Sequence, residues 1–190
     1  MGAGGSRVVT EPGNGTLEIF PLDTTAATLV PLCTELFRDH WAAIRFGILI
    51  QGSVLEIRAP AAPVTVAMLD GYLTVAFDAW HLHICIDDHR GLDRPVDPQL
   101  AQHRRTARAE FYRRLDPDAR PVSWGLRLFN GRGEQQLTVF LPNPFLDEND
   151  QNLASPNWTR LTLWDDLRRR YLGLDPDPRD RTAPRFVHDE

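Results

Sequence analysis

Lysine is absent from this chain: all 21 basic residues are arginine. That removes a Schiff-base nucleophile, a phosphate-loop lysine and a lysine general base at one stroke. The guanidinium groups that remain can still grip carboxylate or phosphate through two parallel hydrogen bonds. Cysteine is almost as scarce. Cys33 and Cys85 are too few for a disulfide framework, so both are expected to be reduced. No apolar run approaches the roughly 18 residues of a spanning helix, and "MGAGGSRVVTEPGNG" at the start has no apolar core of a secretory signal. Neither a glycine-rich phosphate loop nor a Gly-x-Ser-x-Gly elbow occurs, which argues against nucleotide-dependent phosphotransfer and serine-hydrolase chemistry. A net charge of −5 argues against a nucleic-acid partner, which ordinarily requires basic surface. These absences predict a cytoplasmic protein with neither a membrane nor a nucleic acid as partner.

What is present is 190 residues of ordinary globular composition, 42% hydrophobic and 25% charged. Residues 1–16 are glycine-rich and aperiodic, which predicts a disordered tail; 175–190 read as a polar C-terminal tail. A single α+β domain is expected over 17–174. It opens with a short strand, "TLEIFPLD" (16–23). A helix follows within 24–43, where Leu29, Leu32, Cys33, Leu36, Phe37 and Trp41 share helical spacing and Pro31 marks a start or a kink. Short apolar runs come next, split by Gly52-Ser53 and by Asp70-Gly71, and predict an antiparallel meander of about five strands ending in "WHLHICI". A helix is expected near 98–115, with Asp97 as N-cap, Pro98 at the first helical position and Leu100, Ala107, Phe111 and Leu115 as its stripe. Its arginines (Arg104, Arg105, Arg108, Arg113 and Arg114) read as a solvated face. A late hairpin turns at Asn130–Gly133, pairing Phe129 with Glu134 and Arg127 with Gln136. A 16-residue loop (142–157) and a helix near 162–172, closed by Gly173, complete the chain.

Alternate side chains of a strand point to opposite faces, so each strand can be sorted. The apolar set includes Leu73, Val75, Leu82, Ile84, Leu126 and Val139, together with Val64, Val66 and Met68, and is expected to pack under about three helices on one face of the sheet. The other face would carry Arg45, Glu56, Arg58, Thr65, Thr74, His81, His83, Cys85, Arg127, Glu134, Gln136 and Thr138. Ala67 and Ala76 among them would leave room above the strands.

Three of the six histidines fall in "AWHLHICIDDHRG" (79–91). Two histidines at i and i+2 on a strand stand about 6–7 Å apart on one face, and their imidazoles can converge on one metal ion. His81 and His83 are therefore candidate metal ligands, with His89, Cys85 or Glu134 completing the shell. Mixed nitrogen, sulfur and oxygen donors favour a divalent metal, zinc ahead of iron or copper. The spacing resembles the first cupin motif over about ten residues, with Asp87 or Asp88 and then Gly91 beyond the histidine pair. The second cupin motif's Gly, Pro and His pattern is absent, and no cupin function is carried over. Arg127 and Glu134 on the hairpin are candidate catalytic residues, Arg127 fixing an acidic ligand and Glu134 serving as base.

Two functions fit this pattern. One is a metal-dependent site on the open face, acting on an acidic small molecule. The alternative is a non-enzymatic protein whose same face holds a tetrapyrrole-like or apolar ligand, or mates with a second subunit. A one-residue bulge near Asp78 or Ala79 would turn the two histidines to opposite faces and remove the site.

Overall fold

The structure, a computed structural model, describes residues 5–50, 52–91 and 95–186. It is α+β, and three sheets carry its strands. The largest has six strands in the order β1-β2-β9-β10-β11-β3, formed by β1 (Arg7–Glu11), β2 (Gly15–Leu22), β9 (Thr106–Leu115), β10 (Pro121–Asn130), β11 (Gln135–Phe140) and β3 (Arg45–Gly47). A two-stranded sheet joins β4 (Leu49–Ile50) to β5 (Ser53–Val54). A three-stranded sheet runs β6 (Thr65–Leu69), β7 (Tyr72–Ala76), β8 (His81–Cys85). The meander expected between residues 44 and 86 is thus divided among separate sheets. The described residues fall into two compact units.

One unit takes the described residues of Met1–Leu22, Glu110–Leu126 and Phe140–Glu190. Residues 7–11, expected in a disordered tail, form β1 and pair with β2 from Arg7↔Ile19 to Glu11↔Gly15. α3 (Thr162–Leu172) lies where the sequence predicts it, and Gly173 closes it in the left-handed conformation, φ 68°. Phe20 and Phe111 meet the Trp164 ring edge-on, at 5.9 and 5.8 Å between centroids.

The largest departure from the sequence reading is at 98–115. The predicted start holds: Asp97 Oδ1 accepts from the Gln99 N–H at 2.9 Å, and Pro98 opens α2 (Pro98–Arg104). The helix then stops after about two turns, Arg105 is extended, and 106–115 become β9. β9 lies between β2 and β10, and Glu110, Phe111, Tyr112, Arg113 and Leu115 are all buried. Tyr112 packs with Leu17 and Ile19. Arg113 is not solvated but 1% exposed. Its guanidinium is held by three carboxylates: Nε donates to Glu18 Oε2 at 2.9 Å, Nη1 to Asp180 Oδ1 at 2.8 Å and Nη2 to Asp177 Oδ2 at 2.8 Å. Asp180 belongs to a short 3-10 turn, Pro178–Arg181, inside what reads as a polar tail, yet it is 0% exposed. It also accepts from the indole N–H groups of Trp124 (2.8 Å) and Trp164 (2.9 Å) and from Arg168 (3.3 Å).

The other unit takes the described residues of Asp23–Ala109 and Arg127–Val139. α1 (Ala26–Asp39) buries Leu29, Leu32, Cys33, Leu36 and Phe37, as its spacing predicts, with Pro31 inside it. Burial pushes the Cys33 thiol up to about 12, which makes it an inert core residue. Phe46 links Phe37 to Phe77 and Trp80 in an aromatic cluster, with centroids 5.0, 6.4 and 6.0 Å from its own. The β10–β11 hairpin closes one residue tighter than expected. Asn130 N donates to Glu134 O at 2.9 Å, and Gly133 N donates to Asn130 O at 3.0 Å. With Gly133 at φ 78° this is a three-residue loop with a glycine bulge.

Candidate functional site

The three-stranded sheet positions the two histidines. Asp70 (φ 51°) and Gly71 (φ 84°) make a two-residue turn between β6 and β7. β7 then pairs with β8 without interruption from Tyr72↔Cys85 to Ala76↔His81. No bulge enters at Asp78 or Ala79, so alternation holds. Leu73, Val75 and Ile84 are buried, while His81 and His83 are exposed on the opposite face. Their ring centroids lie 4.7 Å apart. Beside them on that face are Ala76, Thr74 and Tyr72 of β7, then Thr65, Ala67 and Leu69 of β6. Leu82 is half-buried, and Val64 and Met68 are exposed rather than core.

His83 is oriented by its neighbour across the strands: its Nδ1 lies 2.8 Å from Thr74 Oγ1. With Nδ1–H donating, the lone pair is on Nε2, the nitrogen left for a ligand. Tyr72 packs edge-on against His83 at 6.5 Å and His89 at 5.1 Å. Its hydroxyl shares hydrogen bonds with the Cys85 thiol and the Arg104 guanidinium, and burial raises it above its ordinary titration range. Arg104, read from sequence as part of a solvated helix face, thus stands at the edge of the histidine face. Its position there depends on α2 ending at that residue, which local sequence did not indicate.

The other expected ligands are drawn elsewhere. Cys85 is 3% exposed, and its thiol donates to the Asp87 carbonyl at 3.2 Å. Burial, outweighing the Tyr72 hydroxyl and Arg104, keeps the thiol above its ordinary value, so it stays protonated at neutral pH. His89 Nδ1 sits 3.1 Å from Asp70 Oδ2, a close contact that does not meet hydrogen-bond geometry. Glu134 is bound at the hairpin turn, accepting from Asn130 Nδ2 at 2.7 Å and lying 3.1 Å from His103 Nε2; these two partners hold its carboxyl below the usual range. Arg127 is 4% exposed, with its guanidinium 5.3 Å from the Phe129 ring, which Arg108 also covers at 3.4 Å. Thr138 is buried as well and accepts from Gln135. Gln136 donates to the Arg104 carbonyl at 2.8 Å. Arg127 and Thr138 are therefore not part of an open face, whereas Arg45, Glu56 and Arg58 keep exposure outside the three-stranded sheet. Of the predicted ligands the structure brings together His81 and His83. Among the described residues no group of three or more His, Cys, Asp or Glu is placed to share a metal ion, which corrects the expected three-ligand zinc centre. Among the described residues no helix is long and apolar enough to cross a membrane.

A crystal structure of protein AGR_C_4470 from Agrobacterium tumefaciens superposes with a TM-score of 0.50 at 19% identity, covering 82% of this chain and 71% of that one. That likeness is one of fold. A crystal structure of ChuX gives a TM-score of 0.47 at 15% identity, covering 81% of this chain and 78% of that one. A second ChuX structure, described as that of a heme-binding protein, gives 0.46 at 15% identity, covering 80% and 78%. Among curated proteins, none matches the chain. A family model matches residues 6–173, and the chain accordingly belongs to a family of unknown function, DUF7676.

Proposed function

We propose that the open face of β6-β7-β8 binds a flat, anionic small molecule of the tetrapyrrole kind, which His83 or His81 would hold through a ring nitrogen. The observation that carries this reading is the exposed His83 whose Nδ1 is tied to Thr74 Oγ1 at 2.8 Å. A bond at the far nitrogen fixes ring orientation and raises the basicity of the ligating one. Among the described residues no third protein donor joins the two imidazoles, which suits an ion that arrives already held in a macrocycle better than a bare ion needing a protein shell. The surroundings fit such a ligand. Ala67 and Ala76 are small, Leu69 and Tyr72 offer apolar and aromatic surface, and Arg104 provides a guanidinium for a peripheral carboxylate. When bound, an iron tetrapyrrole would supply the redox or transport chemistry; the chain's residues orient it and neutralise its acidic edge.

Titration with hemin, read by its absorbance, tests this. The wild type is expected to saturate at one equivalent with the spectrum of a histidine-ligated iron. His83→Ala should shift that spectrum and weaken binding at least tenfold, Thr74→Val should weaken it less, and His81→Ala/His83→Ala should abolish ligation. Unchanged spectra and affinity in the double variant, measured on folded protein, would overturn the reading. Retention of a bare divalent ion by the wild type without any hemin response would overturn it too.

A further inference from the structure

β6 is an outer strand of its sheet; α1 packs against it, and among the described residues no strand pairs with its far edge. Natural edge strands are commonly protected by a charge, a proline or a bulge. Between Thr65 and Leu69 (Thr65, Val66, Ala67, Met68, Leu69) β6 carries neither a charge nor a proline; the one irregularity is at its start, where Val64 N donates to Ala76 O at 2.8 Å although Thr65 is already opposite Ala76. Thr65, Ala67, Met68 and Leu69 are exposed, as is Val64 just before them, at 71%. The two-residue turn at Asp70-Gly71 fixes which backbone groups are used. Leu69↔Tyr72, Ala67↔Thr74 and Thr65↔Ala76 are the pairs that exchange bonds with β7, so the N–H and C=O groups of Val66 and Met68 point outward.

We infer that β6 is a self-association edge at which two copies of this chain pair antiparallel about a two-fold axis through Ala67. The outward groups select that register. Val66 of one copy exchanges both backbone bonds with Met68 of the other, and the two-fold repeats the exchange, which satisfies all four groups on each strand. Ala67 then meets its own counterpart as a non-hydrogen-bonded pair, at a Cα separation of about 4.5 Å. That is the closest approach in the interface, and alanine is small enough for it. On the opposite face Val66 stacks on Met68 of the second copy, an apolar pair. No residue of the strand is charged, so the contact escapes the repulsion that a net charge of −5 imposes on other meetings of two copies. This pairing does not depend on what the histidine face binds. A two-fold perpendicular to the sheet also keeps both histidine faces on the same side. Five strand spacings of about 4.8 Å would set the two β8 strands about 24 Å apart across one continuous floor.

Sedimentation velocity over a range of concentrations, on wild type and on three single variants, tests the inference. The wild type is expected at twice the monomer mass. Met68→Lys should raise the dimer dissociation constant at least tenfold while leaving the far-ultraviolet dichroism unchanged. Ala67→Cys should form an intermolecular disulfide on mild oxidation, because its Cα spacing falls within the range of about 4.4–6.8 Å that a disulfide spans. Leu69→Cys should not, since it faces Thr65 of the other copy and lies about 13 Å from its own counterpart. The native cysteines, Cys33 and Cys85, are both buried and do not compete. A wild type that stays monomeric at every concentration would overturn the inference. So would a dimer that Met68→Lys leaves intact, or equal cross-linking through residues 67 and 69. The cross-linking pair decides the question even if the lysine variant fails to fold.

Discussion

Replacing Asp180 with alanine is expected to cost the protein a large part of its stability. The carboxylate is fully buried and accepts four hydrogen bonds: from Arg113 and Trp124 at Oδ1, and from Trp164 and Arg168 at Oδ2. Removing one partner of a buried ion pair costs about 3–5 kcal/mol, because the other charge is left uncompensated. Each indole N–H left without an acceptor adds roughly 1–3 kcal/mol. These figures do not sum, since Arg113 retains Glu18 and Asp177 and the groups of a network are coupled. A loss of about 3–5 kcal/mol follows, against a total of about 5–15 kcal/mol for an ordinary domain. In urea, with a slope of about 2 kcal/mol/M, the midpoint would fall by about 2 M. Tryptophan fluorescence and far-ultraviolet dichroism should be followed together, since a chain of two compact units need not unfold in one step. Asp180→Asn keeps the shape and one acceptor oxygen and should lose less. An alanine variant within about 1 kcal/mol of wild type would refute the reasoning, because Arg113 could then be accommodated without its deepest partner.

Two further outcomes rest on the same structure. Asp177 is pushed up by burial, but the Arg179 backbone N–H and the Arg113 guanidinium outweigh it; Asp116 is likewise brought below its ordinary value against burial, by Arg120. A carboxyl depressed in the folded state stabilises it fully above the unfolded value of about 3.9. That contribution drains as pH falls through the folded value, so acid unfolding monitored below pH 4 should move to higher pH in Arg120→Ala and fail to move if Asp116 is unpaired in solution. Gly47→Ala should destabilise by at least about 1–3 kcal/mol in thermal unfolding, because its Cβ would lie 1.5 Å from the Leu55 carbonyl oxygen, a backbone atom that cannot step aside alone. A Tm equal to wild type would show that the backbone at Leu55 moves away from residue 47 without penalty.

Local pattern was sufficient where neighbours in sequence are also neighbours in space. α1 and α3 follow from helical spacing, and the β6–β7 turn follows from Asp70-Gly71. The shared face of His81 and His83 follows from alternation alone, which is why that part of the site was legible. β9 was not. "TARAEFYRRL" is rich in alanine, arginine, glutamate and leucine, all sound helix formers, and its spacing also fits a helical stripe. Its two-residue period of Ala109, Phe111, Arg113 and Leu115 is broken by an arginine. That arginine is compatible with a buried strand because carboxylates 64, 67 and 95 residues away surround it. No local window contains them. Cys85, His89 and Glu134 have residue types that allow metal ligation, but alternation does not show the contacts they make: the Cys85 thiol donates to the Asp87 carbonyl two residues on, His89 lies beside Asp70, and Glu134 lies beside His103, 31 positions away.

The arrangement around Arg113 also sets an order of events during synthesis. At about 5–20 residues per second, Arg113 leaves the ribosome roughly 3–13 s before Asp180, which follows it by 67 positions. For that interval the central strand holds a cation that its final acceptor cannot reach. Glu18, made 95 positions earlier, is already present, and β1 and β2 are a hairpin closed by local contacts. Of the three carboxylates, Glu18 is thus the escort charge, the one already made when β9 emerges and able to meet the Arg113 cation while the chain is still growing. Asp177 and Asp180 are made afterwards and complete the set.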